Sequence, residues 1–321
     1  MLLNKKQPNY LPAVKAPLAN KSLLLDITKA GETKLVAVGE RGHIIYSTDA
    51  LHWQQANVPL QSTLTSTFFI NDSLGWAVGH DSVILHTNDG GLSWKIQQYM
   101  PELEKPLLDV VFINTQEGVA IGAYGQFFRT LDGGKTWNNE FHDEFLLPDD
   151  ADYLAELKQE DEAAYLDEAA SILSHFNRLV LDGRTMYLVG EVGLIAKSND
   201  FGRNWQAFDE IYQGSFFDMT RTIDGNLLVV GLRGHVFRSL RNGTPWQKRE
   251  TQTTALLNSI VLSDDERIFI LGNSGTLLES QDDGQTYRQR LQKDGKALIA
   301  GVWFNGQLIV VSDVGIKNIA L

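Results

Sequence analysis

Cysteine is absent from this chain of 321 residues. Its absence excludes thiolate metal sites and a cysteine nucleophile, and it is compatible with an oxidising compartment, where stray thiols would mispair. Long apolar runs are absent as well, so we expect no transmembrane helix. The N-terminal stretch carries two lysines but no apolar segment after them, so the sequence as it stands predicts no signal peptide.

Basic residues are scarce, with 28 Lys and Arg against 40 Asp and Glu and a formal net charge of −12. Such a balance argues against nucleic acid as a partner, because phosphate binding needs a basic face. The acidity is local. Residues 138–174 contain twelve acidic residues and one basic residue, Lys158, so this segment carries −11 and the rest of the chain only −1. We interpret residues 138–174 as an acidic insertion into a nearly neutral scaffold.

A short phrase of the form Ser/Thr-x-Asp followed by an aromatic residue occurs six times, each time about eight residues after a Gly-x-x-Gly turn, or after Gly-x-x-Ser in the second copy. The first glycines of these turns are 40, 43, 68, 41 and 41 residues apart. Such a period is typical of solenoids and propellers. The phrase positions are Asp49 with Trp53, Asp89 with Trp94, Asp132 with Trp137, Asp200 with Trp205, Arg241 (in place of Asp) with Trp246, and Asp282 with Tyr287.

Each repeat contains four short apolar runs bounded by Gly and Asp, which is the pattern of a four-stranded propeller blade. A seventh repeat begins its turn at Ser312, and the chain ends after three strands. The sequence therefore predicts an all-β, seven-bladed β-propeller that forms one domain over residues 1–321. We further expect the extended segment Tyr10–Lys15 to pair with the last blade and close the ring, which would remove an open edge. Pro12 is tolerable in an outermost strand.

The 68-residue interval places the acidic insertion between the third and fourth blades. Pro148 and the two aspartates after it form a helix-start signal, and apolar residues follow at helical spacing, so one amphipathic helix or two short ones are expected within residues 151–174. Strand order puts this connection on the rim that carries the Gly-x-x-Gly turns. The Asp-containing turns should lie on the opposite rim.

The Asp of the repeated phrase is expected to accept backbone N–H bonds within a tight turn in which Gly supplies a positive φ, and the aromatic ring to pack beside it. We interpret these residues as structural. The first copy is one residue short and the fifth has Arg241, so both turns should be modified.

The phrase resembles the Asp-box, or BNR, repeat of sialidase-type propellers. The fuller unit, seen as Ile121-Gly122, Gly125, Arg129-Thr130 and Trp137, is similar to the photosystem II stability/assembly-factor family of seven-bladed propellers. That resemblance covers residues 30–290 and implies a non-enzymatic role: photosynthetic members bind a membrane-protein intermediate on the lumenal side, partly through an arginine-lined face. Relatives also occur in non-photosynthetic bacteria, and nothing in this sequence points to photosynthesis. The implied partner is an envelope membrane-protein complex, bound by a monomeric scaffold without a cofactor.

The arginines supply the candidate partner-binding residues. Arg41, Tyr124 and Arg233 occupy Gly-x-x-Gly turns on the predicted insertion rim, while Arg129, Lys197 and Arg238 share one position on the third strands. Two interpretations stay open. The insertion is a self-docked lid, held by ion pairs to Arg41 and Arg233 and by three apolar residues, or it covers a surface that binds an acidic partner tail. The three apolar residues are Tyr153, Leu157 and Leu166.

The alternative from another class is a glycan-binding propeller or a carbohydrate-active, sialidase-like propeller enzyme. The enzyme would need an arginine cluster, a tyrosine nucleophile and a partner glutamate, for which only Tyr124 and Glu191 present themselves, and the Arg-Ile-Pro signature of those enzymes is missing. The seven histidines are scattered without ligand spacing, so no metal site is expected. The resemblance and the lack of cysteine favour an extracytoplasmic, periplasmic location, and a cytoplasmic one is the alternative.

Overall fold

The computed structural model describes residues 10–240 and 243–321. In that part of the chain seven antiparallel sheets are present, six with four strands and one, the last, with three. The first strand of each sheet packs against the first strand of the next, and that of the seventh packs against that of the first. The sheets therefore form a closed ring around a central channel, which confirms the predicted seven-bladed propeller.

The strands follow one another in order within each blade. The bounds for blades one to three are β1 Leu24–Ala30, β2 Lys34–Gly39, β3 Ile44–Ser47, β4 Gln54–Gln55; β5 Leu64–Phe69, β6 Gly75–Gly79, β7 Val83–Thr87, β8 Lys95–Gln98; β9 Leu107–Phe112, β10 Gly118–Gly122, β11 Phe127–Thr130 and β12 Asn138–Asn139. Those for blades four to seven are β13 Phe176–Asp182, β14 Thr185–Gly190, β15 Ile195–Ser198, β16 Gln206–Ala207; β17 Phe216–Arg221, β18 Leu227–Gly231, β19 Val236–Ser239, β20 Trp246–Arg249; β21 Leu257–Leu262, β22 Ile268–Gly272, β23 Thr276–Ser280, β24 Arg288–Leu291; β25 Leu298–Phe304, β26 Gln307–Ser312 and β27 Gly315–Ile319.

The hydrophobic core lies between blades. The second strands are buried on both faces, as their continuous Val, Ile and Leu runs predict. Val36 and Val38 of the first blade, for example, share a cluster with Leu64 and Ala77 of the second. Burying such surface contributes about 25 cal/mol per Å². The stability of the ring therefore depends on each blade having a neighbour.

The expected closure by Tyr10–Lys15 is wrong. This segment lies along the end of the first blade, where the Ala13 N–H donates to the Val58 carbonyl (3.0 Å) and the Lys15 ammonium donates to the Ala56 carbonyl (2.8 Å). The ring closes instead by face-to-face packing of blades one and seven. Leu24, Ile27, Ala300 and Ile309 belong to one buried cluster. The ring of blades is therefore closed by buried side chains between blades one and seven, and not by the predicted pairing of an N-terminal strand with the last blade.

The insertion contains two helices, α1 (Pro148–Glu160) and α2 (Glu162–Ala169). Leu147 occupies the N-cap of α1 without a side-chain cap bond, whereas the Asp161 carboxylate caps α2 by accepting the N–H groups of Ala163 (3.0 Å) and Ala164 (3.1 Å). Both helices connect β12 to β13. No helix among the described residues is long and apolar enough to cross a membrane.

A second feature repeats in all seven blades: the pairing of the first and second strands shifts register by one residue near the start of the first strand. A bulge of this kind redirects the residue that follows it. Counted around the ring, the residues after the bulge are Asp26, Ser66, Asp109, Arg178, Asp218, Ser259 and Ala300. We call this set the inner ring.

Candidate partner-binding face

The Gly-x-x-Gly turns, with Ser82 in place of the last glycine in blade two, join the second and third strands of blades one to six and share one backbone geometry. The third of the four turn residues takes a left-handed conformation in every case, with φ between 54° and 56° at Arg41, Tyr124, Val192 and Arg233. Asp81 and Ser274 complete the set with φ of 61° and 56°. Left-handed backbone turns these side chains away from the blade. They lie on one rim, which we call the turn face.

The insertion docks on the turn face beside blades three and four. Gly125, in the turn of blade three, lies so close to Leu173 that an added Cβ would be 2.5 Å from the Leu173 Cβ. The Lys105 ammonium donates to the Ala170 carbonyl. Phe145 packs edge-on against Phe176 of β13, with ring centroids 5.3 Å apart. The placement inferred from strand order agrees with these contacts.

The side chains that hold the insertion differ from those expected. Leu154 and Leu173 are buried, whereas Tyr153 and Leu166 are 47% and 61% exposed and Leu157 is half-buried. Successive residues of a helix point in different directions, so Leu154 is buried while Tyr153 beside it in the sequence is exposed. Leu173 lies beyond the end of α2, where helical spacing does not apply.

The expected ion pairs between the insertion and the two turn-face arginines are also absent among the described residues. Arg41 is highly exposed and lies 3.8 Å from Glu40, its own neighbour in sequence. Arg233 is exposed and forms no ion pair in this part of the chain. Its blade is the fifth, Arg41 belongs to the first, and the insertion contacts the third and fourth. The separation around the ring explains why the charges do not meet.

Arg129 does not face solvent as a partner-binding residue would. It is buried and forms a two-pronged pair with Glu140, at 2.7 and 3.0 Å. The same guanidinium donates to the carbonyls of Phe201 (2.7 Å) and Gly202 (2.9 Å) in the Asp-containing turn of the next blade. Arg129 therefore links blade three to blade four.

Arg238 repeats this arrangement two blades further on. It donates to the carbonyl oxygen and to the carboxylate of Asp283, both at 2.7 Å. Lys197, at the equivalent position of blade four, is half-buried, with its ammonium 5.6 Å from the centre of the Phe208 ring. Neither arginine at this repeat position is available to a partner, since both bind the main chain of the following blade. Sequence position alone could not reveal the direction in which they point.

The Asp-containing turns have the predicted structural chemistry. Asp132 accepts the N–H of Thr136 (2.9 Å) and its hydroxyl proton (2.7 Å), and these bonds lower the pKa of Asp132 to about 2. In the short first copy, the imidazole and N–H of His52 hold the pKa of Asp49 well below its usual range. Arg241 of the fifth copy lies outside the described residues. Equivalent carboxylate bonds to backbone N–H groups occur at Asp89, Asp200 and Asp282.

The aromatic partners of these turns are buried or half-buried beside them. Trp94 donates its indole N–H to the Gly91 carbonyl (3.1 Å), and Trp53 donates to the Ala50 carbonyl (3.3 Å). Because the first copy lacks one residue, Ala50 takes the left-handed conformation with φ of 60° that Gly provides elsewhere. On the opposite rim of the propeller, the Asp side chains of these turns, together with Trp53 and Trp94, are therefore engaged in hydrogen bonds within the turns themselves.

The inner ring was not found from the sequence, and its three aspartates are buried. Each of its three aspartates accepts the N–H of the residue just beyond the ring position on the next blade. Asp26 accepts from Thr67 (2.9 Å), Asp109 from Leu179 (2.8 Å) and Asp218 from Ile260 (2.7 Å). These carboxylates therefore fasten the first strands of neighbouring blades. Counting 12 or 13 residues back from the glycine or serine that opens each Gly-x-x-Gly-type turn would have revealed this alternating Asp pattern.

Arg178 supplies the positive charge of the inner ring. Its guanidinium lies 3.6 Å from Asp109 and 3.9 Å from both Asp26 and Asp218. Burial raises the pKa of Asp26 to about 6, against the opposing effect of Arg178. Burial raises the pKa of Asp218 as well, and the surrounding carboxylates raise that of Arg178. The ring divides the channel into a space of about 300 Å³ on one side and about 350 Å³ on the turn-face side.

Tyr124 and Glu191 do not meet as a catalytic pair would. The imidazole of His175 contacts both: its ring is edge-on to Tyr124, with centroids 4.7 Å apart, and its Nδ1 lies 3.6 Å from Glu191. Tyr124 itself is 44% exposed. Among the described residues, no group of three or more His, Asp or Glu side chains has the geometry of a metal site.

Comparison with known proteins finds a similarity to one family over part of the chain. The model described as "Photosynthesis system II assembly factor YCF48" matches residues 45–160. The photosystem II assembly lipoprotein Ycf48 of Picosynechococcus sp. is 27% identical over 108 residues, which are 33% of this chain and 32% of the relative. The photosystem II assembly protein Ycf48 of Thermosynechococcus vestitus is 27% identical over 97 residues, or 30% of this chain and 28% of the relative. The aligned region thus spans about a third of these curated relatives.

Among solved structures, one described as YCF48 bound to D1 peptide has a TM-score of 0.70 at 19% identity and covers 97% of this chain and 96% of its own. A virginiamycin B lyase from Staphylococcus aureus has a TM-score of 0.73 at 10% identity, over 97% and 98% of the two chains. At these identities the structures share the fold alone. Residues 45–160 therefore resemble the photosystem II assembly factor described by that family model, and the chain as a whole shares its fold with these solved structures.

Proposed function

We propose that this chain is a non-enzymatic binding propeller that assists the assembly of an envelope membrane-protein complex, and that it holds a protein segment on its turn face. The observation that carries the proposal is the contrast between the two rims. The opposite rim and the inner ring are occupied by bonds that hold the blades together. The turn face presents Arg41, Tyr124 and Arg233 to solvent.

The descriptions of the similar proteins support this proposal. One is an assembly lipoprotein, and one propeller of the same fold was solved with a peptide of another protein. The word lipoprotein also supports an extracytoplasmic location for this chain. A fold-level likeness to a lyase supports no chemistry, because one fold serves many functions.

A carbohydrate-active function is the less favoured alternative. It needs a tyrosine and a glutamate that act on one substrate atom, and in this chain His175 occupies the space between Tyr124 and Glu191. The arginines of the third strands, which a carboxylate-binding site would require, include Arg129 and Arg238, and both are engaged with main-chain carbonyls.

The test is chemical cross-linking of the tagged full-length chain in native cells, with fractionation of envelope and cytosol in the same run. We expect the recovered partners to be subunits or intermediates of a membrane-protein complex, found in the envelope fraction. Charge reversal of Arg41 and Arg233 should reduce their recovery without lowering the melting temperature. Recovery of soluble cytosolic proteins alone would reject the proposal.

A further inference from the structure

A groove runs between the insertion and the turn of blade four, on the turn face. Its volume is about 370 Å³, near the lower end of the range of about 300–1,000 Å³ that is usual for ligand pockets. Apolar side chains from both walls line it: Leu146 and Ile172 belong to the insertion, and Leu194 and Phe208 to blade four. The groove exists only because the insertion is present.

Two exposed apolar residues form the lip of this groove. Leu147 is 66% exposed and Val192 is 63% exposed. Val192 is also a β-branched residue with φ of 54°, a conformation that disfavours branching at Cβ. The remaining turn-face residues with this geometry are unbranched at Cβ or small. A strained apolar side chain that is left in solvent contributes little to folding, so it points to a contact made with something else.

The rim of the groove carries one sign of charge. Glu144, Asp150, Glu191 and Glu210 line it, and no lysine, arginine or histidine does. Histidines from outside the groove lie near two of these carboxylates, Glu144 and Glu191. Asp150 and Glu210 form no ion pair in the part of the chain that the structure describes. Low-dielectric walls beside unpaired carboxylates concentrate a negative potential at the groove.

We propose that this groove binds an extended segment of a protein partner that carries aliphatic or aromatic side chains flanked by lysine or arginine. The apolar floor takes the aliphatic side chains, and the rim carboxylates pair with the basic ones. The inference rests on the proposed function and gives the partner segment a charge opposite to that of the acidic tail considered from the sequence. An acidic segment would meet four carboxylates, and like charges in close contact oppose binding.

The test uses a fluorescent peptide of alternating lysine and leucine as the probe, with a glutamate and leucine peptide of the same length as its counterpart, read by anisotropy on the full chain. The groove variant is Asp150→Asn with Glu210→Gln. Its matched control is Glu156→Gln with Glu160→Gln, which removes the same charge from exposed positions of α1 outside the groove. We expect the groove variant to weaken lysine–leucine binding about fivefold and the control less than about twofold.

The apolar half of the inference is tested by Leu147→Ser against Leu166→Ser, two similarly exposed leucines of which only the first lines the groove. Serine at the N-cap of α1 can accept a backbone N–H, so this variant should fold at least as well as the wild type. Only Leu147→Ser should weaken binding. Equal effects of the two charge variants, or of the two leucine variants, would overturn the groove. If groove variants still recover membrane-complex subunits after cross-linking, the groove fails and the proposed function stands.

Discussion

The Arg178 guanidinium lies 3.6 Å from the Asp109 carboxylate at the centre of the propeller's channel. Asp26 and Asp218 lie only slightly further from the same guanidinium, so one positive charge serves three carboxylates that each fasten two blades. The charges at the centre of this molecule therefore have a structural role. Variants at these positions should act first on stability and only through it on binding.

Replacement of Arg178 by glutamine should destabilise the fold at pH 8 by about 2 kcal/mol. Removing one partner of a fully buried pair costs about 3–5 kcal/mol, and the smaller value reflects the third of this side chain that is exposed. The loss should be smaller at pH 5, where Asp26 is largely protonated. Urea unfolding at the two pH values measures this. An equal loss at both would contradict the electrostatic account of the inner ring.

Replacement of Asp26 by asparagine should change how stability depends on pH. The folded-state pKa of Asp26 is about 6 and its ordinary value is 3.8, so the folded protein binds the extra proton. The stabilisation from Asp26 is therefore fully present below pH 3.8 and is lost as the pH rises through 6. Asparagine removes this dependence, so the free energy of unfolding of the variant should rise relative to that of the wild type as the pH increases from 4 to 7.

The control for that experiment is Asp132→Asn, for which the sign is reversed. The pKa of Asp132 is lowered to about 2 in the folded protein, so its contribution is present above its ordinary pKa and is lost as the pH falls through 2. Unfolding curves from pH 7 down to pH 2 should separate the two variants. Identical pH profiles of the two variants would contradict the raised pKa of Asp26.

Replacement of Arg129 by glutamine should cost about 3 kcal/mol, because it leaves Glu140 and two main-chain carbonyls of the next blade without their donor. Arg203→Gln is the matched control. Arg203 also joins blades three and four, through Glu117, but it is 47% exposed, and exposed pairs contribute about 0.2–1 kcal/mol. Chemical denaturation of both variants checks the ranking; a loss for Arg203→Gln as large as that for Arg129→Gln would refute it.

Replacement of Gly125 by alanine should loosen the insertion. Both Gly125 and Gly183 have positive φ, at 68° and 60°, so alanine at either position carries a backbone cost of about 1 kcal/mol. Only at Gly125 does the new Cβ also meet Leu173, since the Cβ built at Gly183 has no neighbour within 4 Å. Limited proteolysis should cut α1 and α2 faster in Gly125→Ala than in Gly183→Ala. Equal rates would mean that Leu173 does not anchor the insertion.

The repeat made the fold readable from the sequence. Glycine and aspartate at fixed spacing determine turns between residues that are close in sequence. The order of the strands along the chain was therefore enough to predict the blades, the turns at Tyr124 and Val192 and the rim on which the insertion lies. The insertion's helices were also within reach, because proline and aspartate at residues 148–150 mark a helix start in sequence.

The features that could not be predicted from the sequence depend on contacts between residues that are distant in the chain. Arg129 and Arg238 looked like surface charges until their carbonyl partners 45 to 73 residues away were known. The inner ring lies outside the repeated phrase, and its meaning comes from a bulge that only strand pairing reveals. The groove beside Val192 needs the insertion and blade four to be brought together, which no spacing rule predicts.

The most direct test of the account is site-specific photo-cross-linking from each rim in native cells. A photoreactive phenylalanine derivative replaces Tyr124 on the turn face in one variant and Leu131, which is 59% exposed beside an Asp-containing turn, in the other. The account predicts that membrane-complex subunits are captured from position 124 and not from position 131. Capture of the same subunits from position 131 alone, or equally from both positions, would contradict it.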